Sequence, residues 1–402
     1  MINQRPVSAT LPKPAPIEKE ILDFFSGRNF ERSRRFAPGA YDPAVLRDHL
    51  AAKGNPQYRY KTIHIAGTVG KGSATTYLSR GLISLGFKTG TYLSPHFISL
   101  KERVLLNDEP ISDELLATAW TKLRNDGDAG ALSFFDAMTA MAFEIFAEQK
   151  VDCAVIETGL GGKSDSTNNL QSAFSVITRI GLDHQQILGN TITEIAREKA
   201  GIIRNAQRVY TCAQQPEALQ VLQETCAARQ SELVIIDSEG EDFTERNRQF
   251  AQQILQREFS SGDDHDARLR QVLAQPVFGR FSVVRTHPRI VFDSGHNTVA
   301  MRALVEIVNR QPESRCNIFL NTMVERDLAQ FCSVLAAGLG AKARLFLFPM
   351  AVAGYFTTEN RPQNLAAPTD DEIRALLEAD EALHIFTGSM AVYGELRARF
   401  GL

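Results

Sequence analysis

The sequence predicts an α/β fold with a mostly parallel sheet, divided into two domains, and three observations carry that reading. Short apolar segments alternate with helical patterns from Thr62 onward. A glycine-rich run joins the first of these segments to a helix, and a second alternating series follows a polar break near Ser260. Such alternation marks parallel strands joined by crossover helices. At 402 residues the chain also exceeds what one hydrophobic core usually supports.

Taken in order, residues 1–16 are proline-rich and polar and read as a lead-in, followed by short helices at 17–25 and 43–52. Strands are expected at 61–66, 151–157, 173–180 and 233–236. The run Ser-Ser-Gly-Asp-Asp-His-Asp-Ala at 260–267 breaks the pattern and reads as a linker or exposed loop. Beyond it, strands are expected at 289–292, 316–320, 344–348 and 384–387, with helices at 298–309, 327–338, 371–379 and 392–400. The expected division is a phosphate-loop domain with its helical lead-in over 1–275 and a smaller α/β domain over 276–402.

The glycine-rich run is Gly67-Thr68-Val69-Gly70-Lys71-Gly72-Ser73, placed after the apolar Thr62-Ile63-His64-Ile65-Ala66. Glycines let backbone N–H groups converge on an anion and the helix N-terminus adds a favourable dipole. Lys71 supplies a point charge, and Ser73 can hold the Mg²⁺ that accompanies a nucleotide. The spacing departs from G-x-x-x-x-G-K-[ST], because Gly67 comes three residues before Gly70 and Gly72 separates the lysine from the hydroxyl. The loop therefore predicts binding of a nucleoside triphosphate such as ATP; a plain strand-to-helix turn is the alternative.

Composition narrows the partners. The chain is 44% hydrophobic and 23% charged with a formal charge of -3, so nothing in its charge favours nucleic acid, and small-molecule partners are expected. Five scattered cysteines without a C-x-x-C pair indicate neither a disulfide framework nor a zinc site. No apolar leader or membrane-length run occurs, so a cytoplasmic protein that neither spans nor binds a membrane is expected.

Parallel sheets bind ligands at the carboxyl ends of their strands. The strand at 151–157 delivers Glu157 there, followed by Gly159-Leu160-Gly161-Gly162, and a carboxylate beside a phosphate loop suits Mg²⁺. The strand at 173–180 leads to Asp183-His184, where the histidine is either a structural hydrogen-bonding residue or a metal ligand oriented by Asp183. Over 191–203 a capping box, Thr191-x-x-Glu194, opens a helix whose apolar stripe includes Lys199. A lysine on that stripe either pairs with a carboxylate or is desolvated to a neutral amine that CO₂ can convert to a carbamate. In the second domain Asp293 and His296 stand at a strand end beside Asn297, a candidate helix cap, and Arg280 either clamps a phosphate or forms an ion pair.

At these residues the sequence resembles the folate branch of the Mur ligase superfamily, the folylpolyglutamate synthases and dihydrofolate synthases. The matching pieces run in order from 60 to 395. They include His64-Ile65-Ala66-Gly67-Thr68-Val69-Gly70-Lys71-Gly72-Ser73, Tyr92-Leu93-Ser94-Pro95-His96, Glu102-Arg103-Val104 and Glu157-Thr158-Gly159-Leu160-Gly161-Gly162. Further along come Asp165-Ser166-Thr167-Asn168, Gly181-Leu182-Asp183-His184, Glu198-Lys199-Ala200-Gly201, Gly279-Arg280-Phe281, Asp293-Ser294-Gly295-His296-Asn297 and Thr387-Gly388-Ser389. The resemblance implies a Mur ligase-like central domain, a Rossmann-like C-terminal domain and a monomer.

It also implies roles. The loop from Gly67 to Ser73 would bind ATP with Arg280 and Asn297, while Ser73, Glu157 and His184 would surround Mg²⁺. Lys199 would be carbamylated, Lys71, Asp293 and His296 would join it in catalysis, and Ser94, His96, Asp165 and Thr167 would meet the substrate. The implied reaction phosphorylates a pteroate or folate carboxylate with ATP and joins it to L-glutamate as an amide, with domain closure excluding water.

Departures from the family pattern are Val69 for asparagine, Lys163-Ser164 for an arginine and an apolar residue, Asp136 for glutamate, and Gly295 and Thr298 for alanine and proline. The stretch 204–247 is also shorter than the family's strand-rich excursion. Other readings are a Mur-type ligase with a different carboxylate acceptor, a non-catalytic nucleotide-binding relative, and a generic phosphate-loop kinase or ATPase. A cell-wall ligase would need a UDP-binding domain, yet only 66 residues precede Gly67 and they hold no G-x-G-x-x-G.

Overall fold

Buried apolar strands organise the protein, whose computed structural model describes residues 15–26, 43–259, 263–379 and 381–402. Among them the chain forms two compact units. One holds the residues through Glu239 together with Arg246–Gln275; the other holds Gly240–Glu245 and Pro276–Leu402.

The first unit carries an eight-stranded sheet made of β1 (Lys61–Ala66), β2 (Thr89–Tyr92), β3 (Val104–Leu106), β4 (Glu109–Pro110), β5 (Cys153–Glu157), β6 (Phe174–Ile177), β7 (Arg208–Thr211) and β8 (Glu232–Ile235). The strand order is β4-β3-β2-β5-β1-β6-β7-β8. Pairing is parallel from β2 across to β8, while β3 and β4 add an antiparallel edge. In β1 every residue after Lys61 is buried, as expected of a central strand covered on both faces. Helix Phe134–Glu148, with Met138, Met141 and Phe146, belongs to a core that also holds Ile21, Phe25, Trp120 and Ile156. A separate cluster gathers Ile177, Ile195, Ala196, Ile203, Val209 and Leu222.

The second unit is a five-stranded sheet of β9 (Ser282–Thr286), β10 (Arg289–Phe292), β11 (Cys316–Leu320), β12 (Ala343–Leu347) and β13 (Leu383–Thr387), in the order β12-β11-β13-β10-β9. Only β9 runs antiparallel to its neighbour. Met301 and Leu304 of helix Thr298–Asn309 and Leu335 of helix Leu328–Leu339 share its core with Val291, Ile318 and Ile385.

The predicted strands and helices lie within a few residues of those observed, but several strands escape prediction. β2 is Thr-Gly-Thr-Tyr, four residues with a central glycine, which carries no apolar periodicity. β7 falls in the stretch expected to be short; with helix Pro216–Ala228 and β8 that stretch extends the parallel sheet. The linker expected at 260–267 is corrected in part, because Asp263 opens helix Asp263–Leu273; residues 260–262 lie outside those described. A polar helix start and a linker have the same composition. No described helix is long and apolar enough to cross a membrane.

For function the central trio matters most. β1 lies between β5 and β6, so the phosphate loop, Glu157 and the segment leading to His184 leave neighbouring strands at the same sheet edge.

Candidate active site

Gly67 leaves β1 with φ +152°, and a Cβ there would lie 1.8 Å from Thr178 Oγ1, so only glycine fits. The amides of Thr68 and Val69 donate to the Arg179 carbonyl at 2.9 and 3.2 Å, and the Thr68 hydroxyl bonds the Gly181 backbone. These two amides are therefore held by the chain beyond β6 and do not face an anion. The donors that remain in the loop are the amides of Gly70, the N-cap, and of Lys71, Gly72 and Ser73, which open helix Lys71–Ser84 where no earlier turn can accept from them.

Both site lysines converge on one atom. Lys71 Nζ donates to the Gly67 carbonyl oxygen at 3.2 Å and Lys199 Nζ donates to the same oxygen at 2.8 Å. Lys199 arrives on helix Ile192–Ala200, whose expected capping box is present: Thr191 accepts from the Glu194 amide, and the Glu194 carboxylate accepts from the Thr191 amide. Ile195, Ala196 and Ala200 are buried with Lys199, which is 4% exposed, while Arg197 faces solvent. Burial, aided by the Lys71 charge, brings the Lys199 ammonium down to about 7, against the opposing pull of Asp183, Asp165 and Glu198. A large fraction of the amine is neutral near pH 7.

Glu157 ends β5, is buried, and accepts from the Ser94 amide at 3.4 Å. Ser73 is buried in the first turn of its helix. His184 has φ +50° and precedes helix Gln185–Leu188; its amide bonds Asp183 Oδ1 at 2.9 Å, whereas its Nε2 lies 3.8 Å from the same oxygen. Asp183 therefore fixes the backbone of His184 more closely than its ring. Among the described residues no group of three or more His, Cys, Asp or Glu side chains is arranged to hold a metal. The donor set still fits Mg²⁺, which takes one or two carboxylates and completes its shell with phosphate oxygens and water.

The four residues expected at the substrate divide. Ser94 and His96 are partly exposed, and His96 Nδ1 accepts from the Nε–H of buried Arg103 at 2.9 Å. Asp165 and Thr167 are buried. Asp165 Oδ2 accepts from the Leu160 amide at 2.7 Å and Oδ1 from the Thr167 amide at 3.0 Å. Burial raises the Asp165 pKa, while these hydrogen bonds and Lys71 pull it back. The Thr167 hydroxyl is engaged with Asp165 and with His64 Nε2, the latter at 2.9 Å. Both residues brace the glycine loop from inside, their side chains engaged with each other, with Leu160 and with His64.

In the second unit, Asp293 follows β10 and accepts from the Phe281 amide at 3.0 Å and the Gly295 amide at 2.8 Å. Burial raises its pKa, opposed first by Arg280 and then by these amides. Arg280 Nη1 donates to Ser294 Oγ and to the Gly279 carbonyl. His296 Nδ1–H donates to the Ser294 carbonyl at 3.0 Å, which makes Nε2 the basic nitrogen of the neutral ring. Asn297 is buried and caps helix Thr298–Asn309 through Oδ1, bonded to the Ala300 amide at 2.9 Å, so the capping role is present.

Asn247 was invisible to sequence reasoning. A Cβ on Gly70 would lie 3.0 Å from Asn247 Oδ1, and Asn247 Nδ2 is buried with no hydrogen bond among the described residues. Only its position over the phosphate loop marks it, since an asparagine inside a polar helix carries no signal. A cavity of about 370 Å³ lined by Gln207, Arg208, Glu232 and Glu258 lies instead at the amino ends of β6 to β8, away from this chemistry.

No family model matches the chain. It is 32% identical over 406 residues to a dihydrofolate synthase/folylpolyglutamate synthase of Bacillus subtilis, covering 88% of this chain and 94% of that protein. It is 29% identical to the folylpolyglutamate synthase of Lacticaseibacillus casei, covering 75% and 79%. Among solved structures, that of a mutant of L. casei FPGS superposes with a TM-score of 0.77 at 26% identity over 95% of this chain and 99% of that one. The fold is shared with Mycobacterium tuberculosis folylpolyglutamate synthase, solved with ADP and AMPPCP, at a TM-score of 0.81 and 23% identity over 96% and 98%.

Proposed function

Because the chain belongs to the dihydrofolate synthase/folylpolyglutamate synthase family of ATP-dependent ligases, we propose that it joins L-glutamate to dihydropteroate, to a reduced folate or to a folate polyglutamate, using ATP. The observation that carries this reading beyond nucleotide binding is the convergence of Lys71 and Lys199 on the Gly67 carbonyl. A phosphate-loop kinase has no use for a second, desolvated lysine at that atom.

The substrate carboxylate is a poor electrophile until phosphate becomes its leaving group. ATP supplies that phosphate, giving an acyl phosphate and ADP; the amine of glutamate then attacks the acyl carbon, and phosphate leaves as the amide forms. The amides of Lys71, Gly72 and Ser73 bind phosphate oxygens at the helix N-terminus, and Asn247 Nδ2 adds a buried donor over the loop. Lys71 leaves its own loop carbonyl for the transferring phosphoryl group and offsets its charge.

Ser73, Glu157 and His184 hold Mg²⁺ in this reading, and the ion neutralises charge on the phosphates. Lys199, with its pKa near 7, is carbamylated, so a buried cation becomes a carboxylate. For the C-terminal unit, Arg280 and Asn297 serve the nucleotide, and Asp293 and His296 serve the reaction. Ser94 and His96, both partly exposed, serve the substrate in this reading, with Asp165 and Thr167 behind them. The protein acts on small molecules as a single chain, and its five free cysteines suit a reducing cytoplasm.

The test is phosphate release from ATP with L-glutamate plus dihydropteroate or tetrahydrofolate in turn, with the product identified by mass. A product heavier by one glutamyl residue is expected. No glutamate-dependent product with either acceptor overturns the reading.

A further inference from the structure

His64 is an imidazole in the middle of the otherwise apolar end of β1, fully buried, and three residues ahead of Gly67. Burying a polar ring there is costly unless it is hydrogen-bonded, and its hydrogen-bond partner among the described residues lies far along the chain: Nε2 meets Thr167 Oγ1 at 2.9 Å. The direction of that bond follows from what stands behind it. Asp165 already accepts from the amides of Leu160 and Thr167, so its carboxylate takes the Thr167 hydroxyl proton as well. With its proton committed to Asp165, Thr167 Oγ1 can only accept from the ring, and Nε2 carries the hydrogen.

The other ring nitrogen agrees. His64 Nδ1 is buried and has no hydrogen-bond partner among the described residues. A bare lone pair is tolerated there, but a second N–H would be stranded, so the ring stays neutral; burial accordingly holds its pKa down to about 3. The result is a one-way chain from the phosphate-loop strand to the glycine loop: His64 Nε2–H to Thr167 Oγ–H to Asp165.

Asp165 is where this chain touches the chemistry. Its carboxylate interacts electrostatically with Lys71 and with Lys199. Its amide bonds the Gly162 carbonyl at 3.2 Å, and Gly162 in turn sits so close to the Lys199 helix that a Cβ would lie 3.0 Å from the Lys199 carbonyl oxygen.

Resting on the ligase reading above, we propose that His64 is a positioning residue: its Nε2–H aims the Thr167 hydroxyl at Asp165 and fixes that carboxylate as the counter-charge of Lys71, which shares the Gly67 carbonyl with Lys199. Outer partners of this kind typically contribute about tenfold or more to activity without touching substrate.

The test compares His64→Gln, which keeps a donor near the Nε2 position, with His64→Met, which keeps volume and loses the donor, and adds Thr167→Val and the His64→Met/Thr167→Val double variant. The expected result is a kcat about tenfold lower for His64→Met, with KM for ATP and calorimetric ADP affinity within about twofold of the parent, and recovery to within about threefold in His64→Gln. The double variant should be no slower than the slower single one, because both changes cut the same chain. An unchanged kcat in His64→Met, equal impairment of His64→Gln, or multiplying effects in the double variant would overturn the proposal. Should His64→Met fail to fold, imidazole ¹⁵N NMR of the parent decides: an Nε2–H ring that does not titrate between pH 5 and 9 is expected, and an Nδ1–H or titrating ring overturns it. A parent protein without glutamate-dependent turnover instead defeats the ligase reading, which this spectrum does not probe.

Discussion

In the phosphate-loop unit a network of side chains joins the backbone contacts that hold the functional groups, whereas in the C-terminal unit mainly backbone groups hold Asp293 and His296. Lys199 is buried among charges it feels from Lys71, Asp183, Asp165 and Glu198, and Asp165 is tied through Thr167 to His64. Asp293 is instead gripped by two amides, Phe281 and Gly295, and His296 is oriented by the Ser294 carbonyl. Both arrangements stand at the carboxyl ends of parallel strands, so topology does not distinguish them. The difference is one of tunability: a side-chain network sets protonation states through burial and charge, while backbone donors mainly set geometry. Substitutions in the first unit should therefore change chemistry, and those in the second should chiefly change fit.

Lys199→Ala offers the strongest way to break this comparison. Loss of about 10² to 10³ in kcat is expected, the scale of removing one preorganised electrostatic group. A carbamate is in effect a tethered carboxylate, so formate or acetate should restore part of the turnover in the cavity left behind. Steady-state kinetics with and without the added carboxylate checks both points; full activity without rescue would remove Lys199 from the chemistry.

Lys199→Met sharpens the same point through stability. The folded-state pKa of Lys199 is about 7 against an ordinary 10.5, so the native state binds fewer protons than the unfolded one between those values. Stability therefore rises with pH from about 7 to 10.5, and the penalty for the buried ammonium is fully present below pH 7. Replacing it with methionine should stabilise the protein by about 1–4 kcal/mol at pH 6 in CO₂-free buffer, and by less at pH 9. Urea unfolding at the two pH values measures the difference; a larger gain at pH 9 would contradict the assigned burial.

How much of this was legible depended on how local each signal is. Lys199 could be read because a capping box and spacings of three and four place it on the apolar stripe of its own helix. The phosphate loop could be read because strand, glycines, lysine and hydroxyl fall within a dozen residues. His64 could not be given a partner, since Thr167 lies 103 residues away and a strand buried on both faces has no polar side to betray it. Capture of the Thr68 and Val69 amides by Arg179 is backbone pairing in an isolated bridge, which leaves no trace in side-chain chemistry. The same holds for Asn247, whose meaning comes only from the glycine it covers.

A packing test separates the Lys199 helix from its charge. At Gly201 an added Cβ would lie 2.4 Å from Lys163 Cα, a backbone contact that cannot turn aside. Gly201→Ala should cost about 1–3 kcal/mol by overpacking and lower kcat by displacing the helix end that follows Lys199. Thermal unfolding and turnover should fall together; lost stability with unchanged kcat would mean that the position of this helix is not critical.

The smallest effect belongs to the C-terminal unit and tests the other half of the comparison. Ser294 is fully buried; its hydroxyl accepts from Arg280 Nη1 and donates to the Gly279 carbonyl at 2.9 Å. Ser294→Ala removes both bonds and leaves Arg280 held by the Gly279 carbonyl, but the amides of Phe281 and Gly295 still grip Asp293. Because the backbone organises this site, stability should fall by only about 1 kcal/mol, the net worth of a buried neutral hydrogen bond. A guanidinium freed to sample other rotamers should bind ATP less well, so KM for ATP should rise by about threefold to tenfold while kcat stays within about twofold, 1.4 kcal/mol being tenfold in binding. Initial-rate kinetics over a range of ATP concentrations separates the two parameters. A kcat loss as deep as that expected of Lys199→Ala would show that Ser294 and Arg280 work through charge in the transition state, and the division between a tuned unit and a fitted one would fail at this residue.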